Sequence, residues 1–150
     1  SDCQLAANSC CGTCDFPSLD DFDAINKNEW EAHYNEVCTE PDPICPGCVV
    51  PNNPWLTATC TANTCEGVDL SIHPANTCVD DDDCRVRTPG CCECGAPTEP
   101  DYLIGWPHDG ENDLTDLVCE PDLGCPECAP MYPDNVQAYC EAGRCAVRVL

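Results

Sequence analysis

Positive charge and large apolar side chains are both scarce in this chain: its 150 residues carry 5 Lys and Arg against 28 Asp and Glu, with 2 Phe, 1 Met and 3 Trp. A formal net charge of −23 repels phosphate backbones and anionic headgroups instead of releasing their counterions, which excludes nucleic acid and anionic membrane surfaces as partners. Long apolar runs are missing too. The longest are a few residues, as in Cys48-Val49-Val50, so membrane insertion is excluded. No basic segment followed by an apolar one stands at the front, and the expectation is an exported chain in which Ser1 is a processed end. Few aromatics and 15 Pro exclude one large aliphatic core.

What the chain has in abundance is cysteine. At 19 in 150 residues it exceeds the level at which a short chain reads as a disulfide scaffold, and that class belongs to oxidising, extracellular surroundings. The expected localisation is secreted. Covalent links then do for small cores what apolar burial cannot do alone.

Residues 1–75 laid over 76–150 repeat one cysteine pattern. Cys3, Cys10, Cys11, Cys14 and Cys38 match Cys84, Cys91, Cys92, Cys94 and Cys119, with a one-residue slip at Cys14. The tails agree best: Cys45-Pro46-Gly47-Cys48, then Cys60 and Cys65, answer Cys125-Pro126-Glu127-Cys128, then Cys140 and Cys145. The remaining cysteine, Cys78, lies six residues before Cys84, and its counterpart falls ahead of Ser1. An odd total leaves one cysteine over: it is free, it pairs with another chain, or connectivity differs between the halves.

The expected fold class is therefore small disulfide-rich α+β, as two tandem homologous units over 1–72 and 76–150 with a linker about 71–75. Each unit opens with a Cys-rich loop too crowded for regular structure, continues in one short helix and closes in a C-terminal β-hairpin. In the first unit, Asp20, Asp21 and Asp23 put acid at a helix start, and Phe22, Ile25, Trp30, His33, Tyr34 and Val37 fall near one face. The second helix, around Leu114–Cys119, is expected to be shorter because Trp106-Pro107 blocks an earlier start. Alternation over Val136–Cys140 and Cys145–Val149 about Gly143, and over Leu56–Cys60 and Cys65–Ile72 about Ala62-Asn63, predicts the two hairpins.

The pattern Asp-Cys, six residues, Cys-Cys, a helical middle, Cys-Pro-x-Cys and a closing Cys-x4-Cys hairpin resembles a cysteine-rich repeat of predicted secreted proteins in myxobacteria and related bacteria. The resemblance covers nearly the whole chain, twice, and implies a secreted disulfide scaffold without implying an activity. The Cys-Cys opening is similar to whey-acidic-protein inhibitors only locally, and the downstream spacings depart from them.

Chemistry-bearing motifs are weighed against this scaffold. Cys45/Cys48 and Cys125/Cys128 have the spacing of zinc knuckles and of redox pairs, yet the many other cysteines would then remain reactive thiols. A framework of structural disulfides drawn from these 19, with the odd one left over, is the expectation, with no metal or other cofactor. Asp80, Asp81, Asp82 and Asp83 are weak calcium candidates that fit no EF-hand loop. His33, His73 and His108 have no matching partners between the halves, and the nucleophile elbow, phosphate loop and Rossmann glycine pattern are absent, so the chain reads as no enzyme. Val147, Arg148, Val149 and Leu150 form a β-prone tail suited to strand addition.

The functional expectation is a secreted, non-enzymatic structural protein, a self-assembling subunit of an extracellular fibre or surface layer, whose partner is a further copy of itself. The alternatives are a two-headed binding module or protease inhibitor presenting Arg85–Pro89 or Pro51–Trp55, and a calcium-binding acidic scaffold.

Overall fold

The computed structural model describes residues 2–40, 43–94, 99–120 and 124–150. These form a small disulfide-rich α+β protein with two short α-helices, four two-stranded sheets and nine disulfides. Two compact units divide the chain, Ser1–Val68 and Asp69–Leu150. The stretch 71–75, read above as a linker, thus falls inside the second unit. Asp69 Oδ1 accepts the Ser71 N–H at 3.0 Å and starts a 3₁₀ turn over Leu70–Ile72, and Leu70 is wholly buried.

In the first unit, β1 (Cys3–Ala7) pairs antiparallel with β2 (Phe22–Asn26), Cys3 opposite Asn26 and Ala7 opposite Phe22. Two sequence expectations change here. The Cys-rich opening is not irregular, because its first residues form β1. The helix expected from Asp20 onward begins only at Trp30, as α1 (Trp30–Val37). The acidic start signal was real, but it capped something shorter: the Ser18 N–H donates to Asp21 Oδ2 at 2.8 Å and closes a single 3₁₀ turn over Leu19–Asp21. Phe22 and Ile25, three apart, suit a helical face, but they lie in the five-residue strand that β1 pairs with. Asn26 then accepts the Asn28 N–H at 2.9 Å and opens the turn Lys27–Glu29 that leads into α1. The strands β3 (Leu56–Thr61) and β4 (Thr64–Asp69) form the predicted hairpin, with Ala62 and Asn63 both left-handed at φ 50° and 63°.

The second unit follows the same order of elements. Strand β5 (Cys84–Arg87) pairs antiparallel with β6 (Ile104–Pro107), a 3₁₀ turn over His108–Gly110 leads into α2 (Glu111–Val118), and β7 (Val136–Glu141) pairs with β8 (Arg144–Val149) about the left-handed Ala142 and Gly143. Contrary to expectation, α2 is no shorter than α1, since each has eight residues. Pro107 ends β6 instead of delaying the helix, at the place where Asn26 ends β2.

The cores differ. Trp106, Leu70, Leu103, Ile104 and Leu114 are wholly buried in the second unit, with the Trp106 Nε1–H donating to the Gly110 carbonyl at 2.7 Å. The first unit buries smaller groups: Ala6, Ala58 and the disulfide sulfurs of Cys3 and Cys38, together with His33, whose Nε2 lies 3.0 Å from the Ala7 carbonyl.

Candidate functional site

Eighteen of the cysteines pair, and they pair alike in the two units. Cys3–Cys65, Cys10–Cys38, Cys11–Cys45 and Cys14–Cys48 in the first correspond to Cys84–Cys145, Cys91–Cys119, Cys92–Cys125 and Cys94–Cys128 in the second. Each framework does two jobs. Cys3–Cys65 and Cys84–Cys145 tie the first strand of a unit to its last, and Cys10–Cys38 and Cys91–Cys119 hold the end of α1 and α2 to the loop after the first strand. The other two bonds of each set fasten the Cys-Pro-x-Cys turn, where helix and sheet supply no order.

This pairing disposes of two chemistries. The two cysteines of each Cys-x2-Cys motif bond to different partners, so neither motif is a redox pair, and none of these sulfurs is a thiolate available to zinc. The sulfur clusters Cys78/Cys84/Cys145 and Cys91/Cys92/Cys125 have metal-site proximity, yet every member is already in a disulfide. A ninth bond, Cys78–Cys140, has no equivalent in the first unit. The leftover cysteine is Cys60, the counterpart of Cys140, and it is exposed.

The acidic run Asp80–Asp83 sits in a 3₁₀ turn and is largely engaged with backbone. Asp83 Oδ2 accepts the N–H groups of Val79 at 2.8 Å and Asp80 at 3.0 Å, and these bonds hold its carboxyl below the usual carboxylate range. Asp81 Oδ1 accepts the Cys140 N–H at 2.9 Å. Asp82 and Asp83 line an open cleft of about 550 Å³ with His108, Asp109 and Asp113.

Arg85–Pro89, offered above as an inhibitory loop, is instead mostly strand and mostly covered. Arg87 is 3 % exposed; its guanidinium donates to the Thr88 and Gly90 carbonyls, each at 2.9 Å, and to Glu111. Arg85 bridges Glu93 at 2.5 Å and Glu111 at 2.7 Å. Tyr132 completes the cluster by donating to Glu93 while receiving the Thr88 N–H at 3.3 Å. Burial raises the Glu93 carboxyl, but hydrogen bonds from Tyr132 and Arg85 outweigh it and leave the group below its ordinary value. With charges shared this way, the cluster is a polar buttress between β5, α2 and the loop at Tyr132. Sequence reading missed it, and the alternation Arg85-Val86-Arg87 was its one visible sign. The other offered loop is also fastened: Asn53 Nδ2 donates to the Pro17 carbonyl at 2.8 Å and its Oδ1 accepts the Trp55 N–H at 3.1 Å.

The tail Val147–Leu150 lies in its own unit. Val147, Arg148 and Val149 belong to β8, opposite Ala138, Gln137 and Val136, and the Leu150 N–H donates to the Asn135 carbonyl at 2.8 Å. A two-residue turn makes Glu141–Arg144 a hydrogen-bonded pair, and the alternation that follows turns the backbone groups of Cys145, Val147 and Val149 away from β7. Asn76 takes those of Cys145. Among the described residues, no other backbone group bonds those of Val147 and Val149, and Val149 and Leu150 are 59 % and 73 % exposed. Comparison of the chain with protein-family models, curated proteins and solved structures finds no match.

Proposed function

We propose that this chain is a secreted, non-enzymatic structural protein, a self-assembling subunit of an extracellular fibre or surface layer built from two copies of one disulfide-clamped module. The observation that carries the reading is the outer edge of β8. It offers the N–H and C=O groups of Val147 and Val149 beside two exposed apolar side chains, which is what an added antiparallel strand from another copy needs. The nine disulfides support an oxidising destination. A net charge of −23 keeps separate copies apart until salt or acid weakens their repulsion.

The test is a proline on that edge. Val147→Pro removes an outward N–H and leaves the bonds to β7 in place, because a proline is tolerated where its missing donor faces solvent. The native chain is expected to form filaments or sheets by negative-stain microscopy, and V147P to stay monomeric with an unchanged disulfide mass. Filaments of undiminished length in V147P, or a native chain that stays monomeric at every concentration and salt, overturn the reading.

A further inference from the structure

In the second unit, the segment from Asp69 to Asp83 clasps the β7/β8 hairpin. Cys140 and Cys145 face each other across the hairpin in a pair without mutual hydrogen bonds, so their backbone groups point outward and need partners. Asn76, wholly buried, accepts the Cys145 N–H on Oδ1 at 2.9 Å and donates from Nδ2 to the Cys145 carbonyl at 3.3 Å. Cys78 is bonded covalently to Cys140, and its N–H donates to the Gly143 carbonyl at 3.0 Å. Asp81 accepts the Cys140 N–H at 2.9 Å. Three side chains of one short segment, spaced Asn-x-Cys-x-x-Asp, thus recognise one hairpin.

The first unit has the same hairpin without the clasp. Its two-residue turn, Ala62-Asn63, sets Cys60 opposite Cys65 as Cys140 is set opposite Cys145. Cys65 bonds to Cys3 as Cys145 bonds to Cys84. Yet Cys60 is an exposed thiol, and Cys65 is half-buried where Cys145 is 2 % exposed. Among the described residues of the first unit, nothing takes the places of Asn76, Cys78 and Asp81. No cysteine of these 150 residues is left to supply the bond, because the other eighteen are paired and the Asn76–Asp81 segment is engaged in its own unit.

We infer that the β3/β4 hairpin is an acceptor for an Asn-x-Cys-x-x-Asp segment from outside these 150 residues, which Cys60 seals as a disulfide. The incoming Asn meets the outward N–H and C=O of Cys65, and the incoming Asp meets the N–H of Cys60. In the covalent step the two thiols lose two electrons and two protons as the S–S bond forms. A protein or glutathione disulfide of the oxidising compartment takes them up by exchange and leaves as two thiols. The site lies on a different hairpin from the β8 edge and stands or falls without it.

A synthetic peptide with the sequence of residues 69–83 serves as the probe, mixed with the full oxidised chain in a glutathione redox buffer at about 0.15 M salt, where charge repulsion is screened beyond roughly 8 Å. Intact mass reads the mixed disulfide. The expected result is a single adduct on Cys60 whose equilibrium yield is at least tenfold above that of the same peptide carrying Asn76→Ala and Asp81→Ala, together with slowed amide exchange at Cys65. The V147P chain is expected to take up the peptide as the parent does, which separates this site from the assembly edge. Equal yields from the two peptides, preference for a Cys60–Cys60 dimer, or uptake by a Cys60→Ser chain overturns the inference.

Discussion

Tyr132 and Glu93 show how a single contact sets charge in a molecule with so little positive charge to distribute. Burial, and then the hydrogen bond it donates to Glu93, push the Tyr132 phenol up to about 12. The folded state therefore favours the neutral phenol. The stability this contributes is present below the ordinary tyrosine value of about 10 and is lost as pH rises through about 12. An alkaline titration followed by phenolate absorbance is expected to contain a step near 12 that Tyr132→Phe abolishes and Glu93→Gln moves down part of the way, because burial remains when the acceptor's charge is gone. A titration without a step near 12 would show that the phenol is neither buried nor bonded as described.

Among the elements, the hairpins were the most legible in sequence, and the reason is local. Each is specified by residues adjacent in the chain, alternating sides about a two-residue turn, so no distant information is needed. Strands β1 and β2 were not legible, because their pairing joins residues about twenty apart and their cysteines and acids carry no period of two. The capping box at Ser18 and Asp21 was visible but could not announce whether it began one turn or several. Equal cysteine spacing implied that most pairings recur, which they do, while the pairings themselves and the identity of the free thiol depend on three-dimensional proximity that spacing does not encode. The contact of β6 with β8 was likewise invisible, although it makes a sharp demand at one position. A Cβ on Gly105 would lie 2.5 Å from the Ala146 carbonyl oxygen and 2.9 Å from its carbon, and both are backbone atoms that cannot turn aside. Gly105→Ala is accordingly expected to cost about 2 kcal/mol, within the usual range for overpacking, and to lower the urea midpoint followed by Trp106 fluorescence. An unchanged midpoint would mean that the two strands stand farther apart.

At the scale of the whole molecule, the two units share a covalent plan and differ in what fills it. Wholly burying Trp106, Leu70, Leu103, Ile104 and Leu114 contributes roughly 1.5–3 kcal/mol for each side chain in the second unit. The first unit has no large apolar side chain buried to that degree among its described residues, so its order rests more heavily on its four disulfides. The second unit also has the Cys78–Cys140 bond. With Cys84–Cys145 already in place, this bond closes an effective ring of only about a dozen residues, which corresponds to about 3 kcal/mol by the chain-entropy relation. Reduction of a covered disulfide requires local opening before a thiolate can reach the sulfur, and opening is easiest where little apolar surface must be exposed. Matched bonds then differ in lifetime although their places in the plan are equivalent. Under mild reductant without denaturant, Cys3–Cys65 is expected to open before Cys84–Cys145, and mass mapping of alkylated fragments over time reads the order directly. Simultaneous loss of the two bonds would show that one cooperative opening governs the chain and that the richer core of the second unit confers no separate protection.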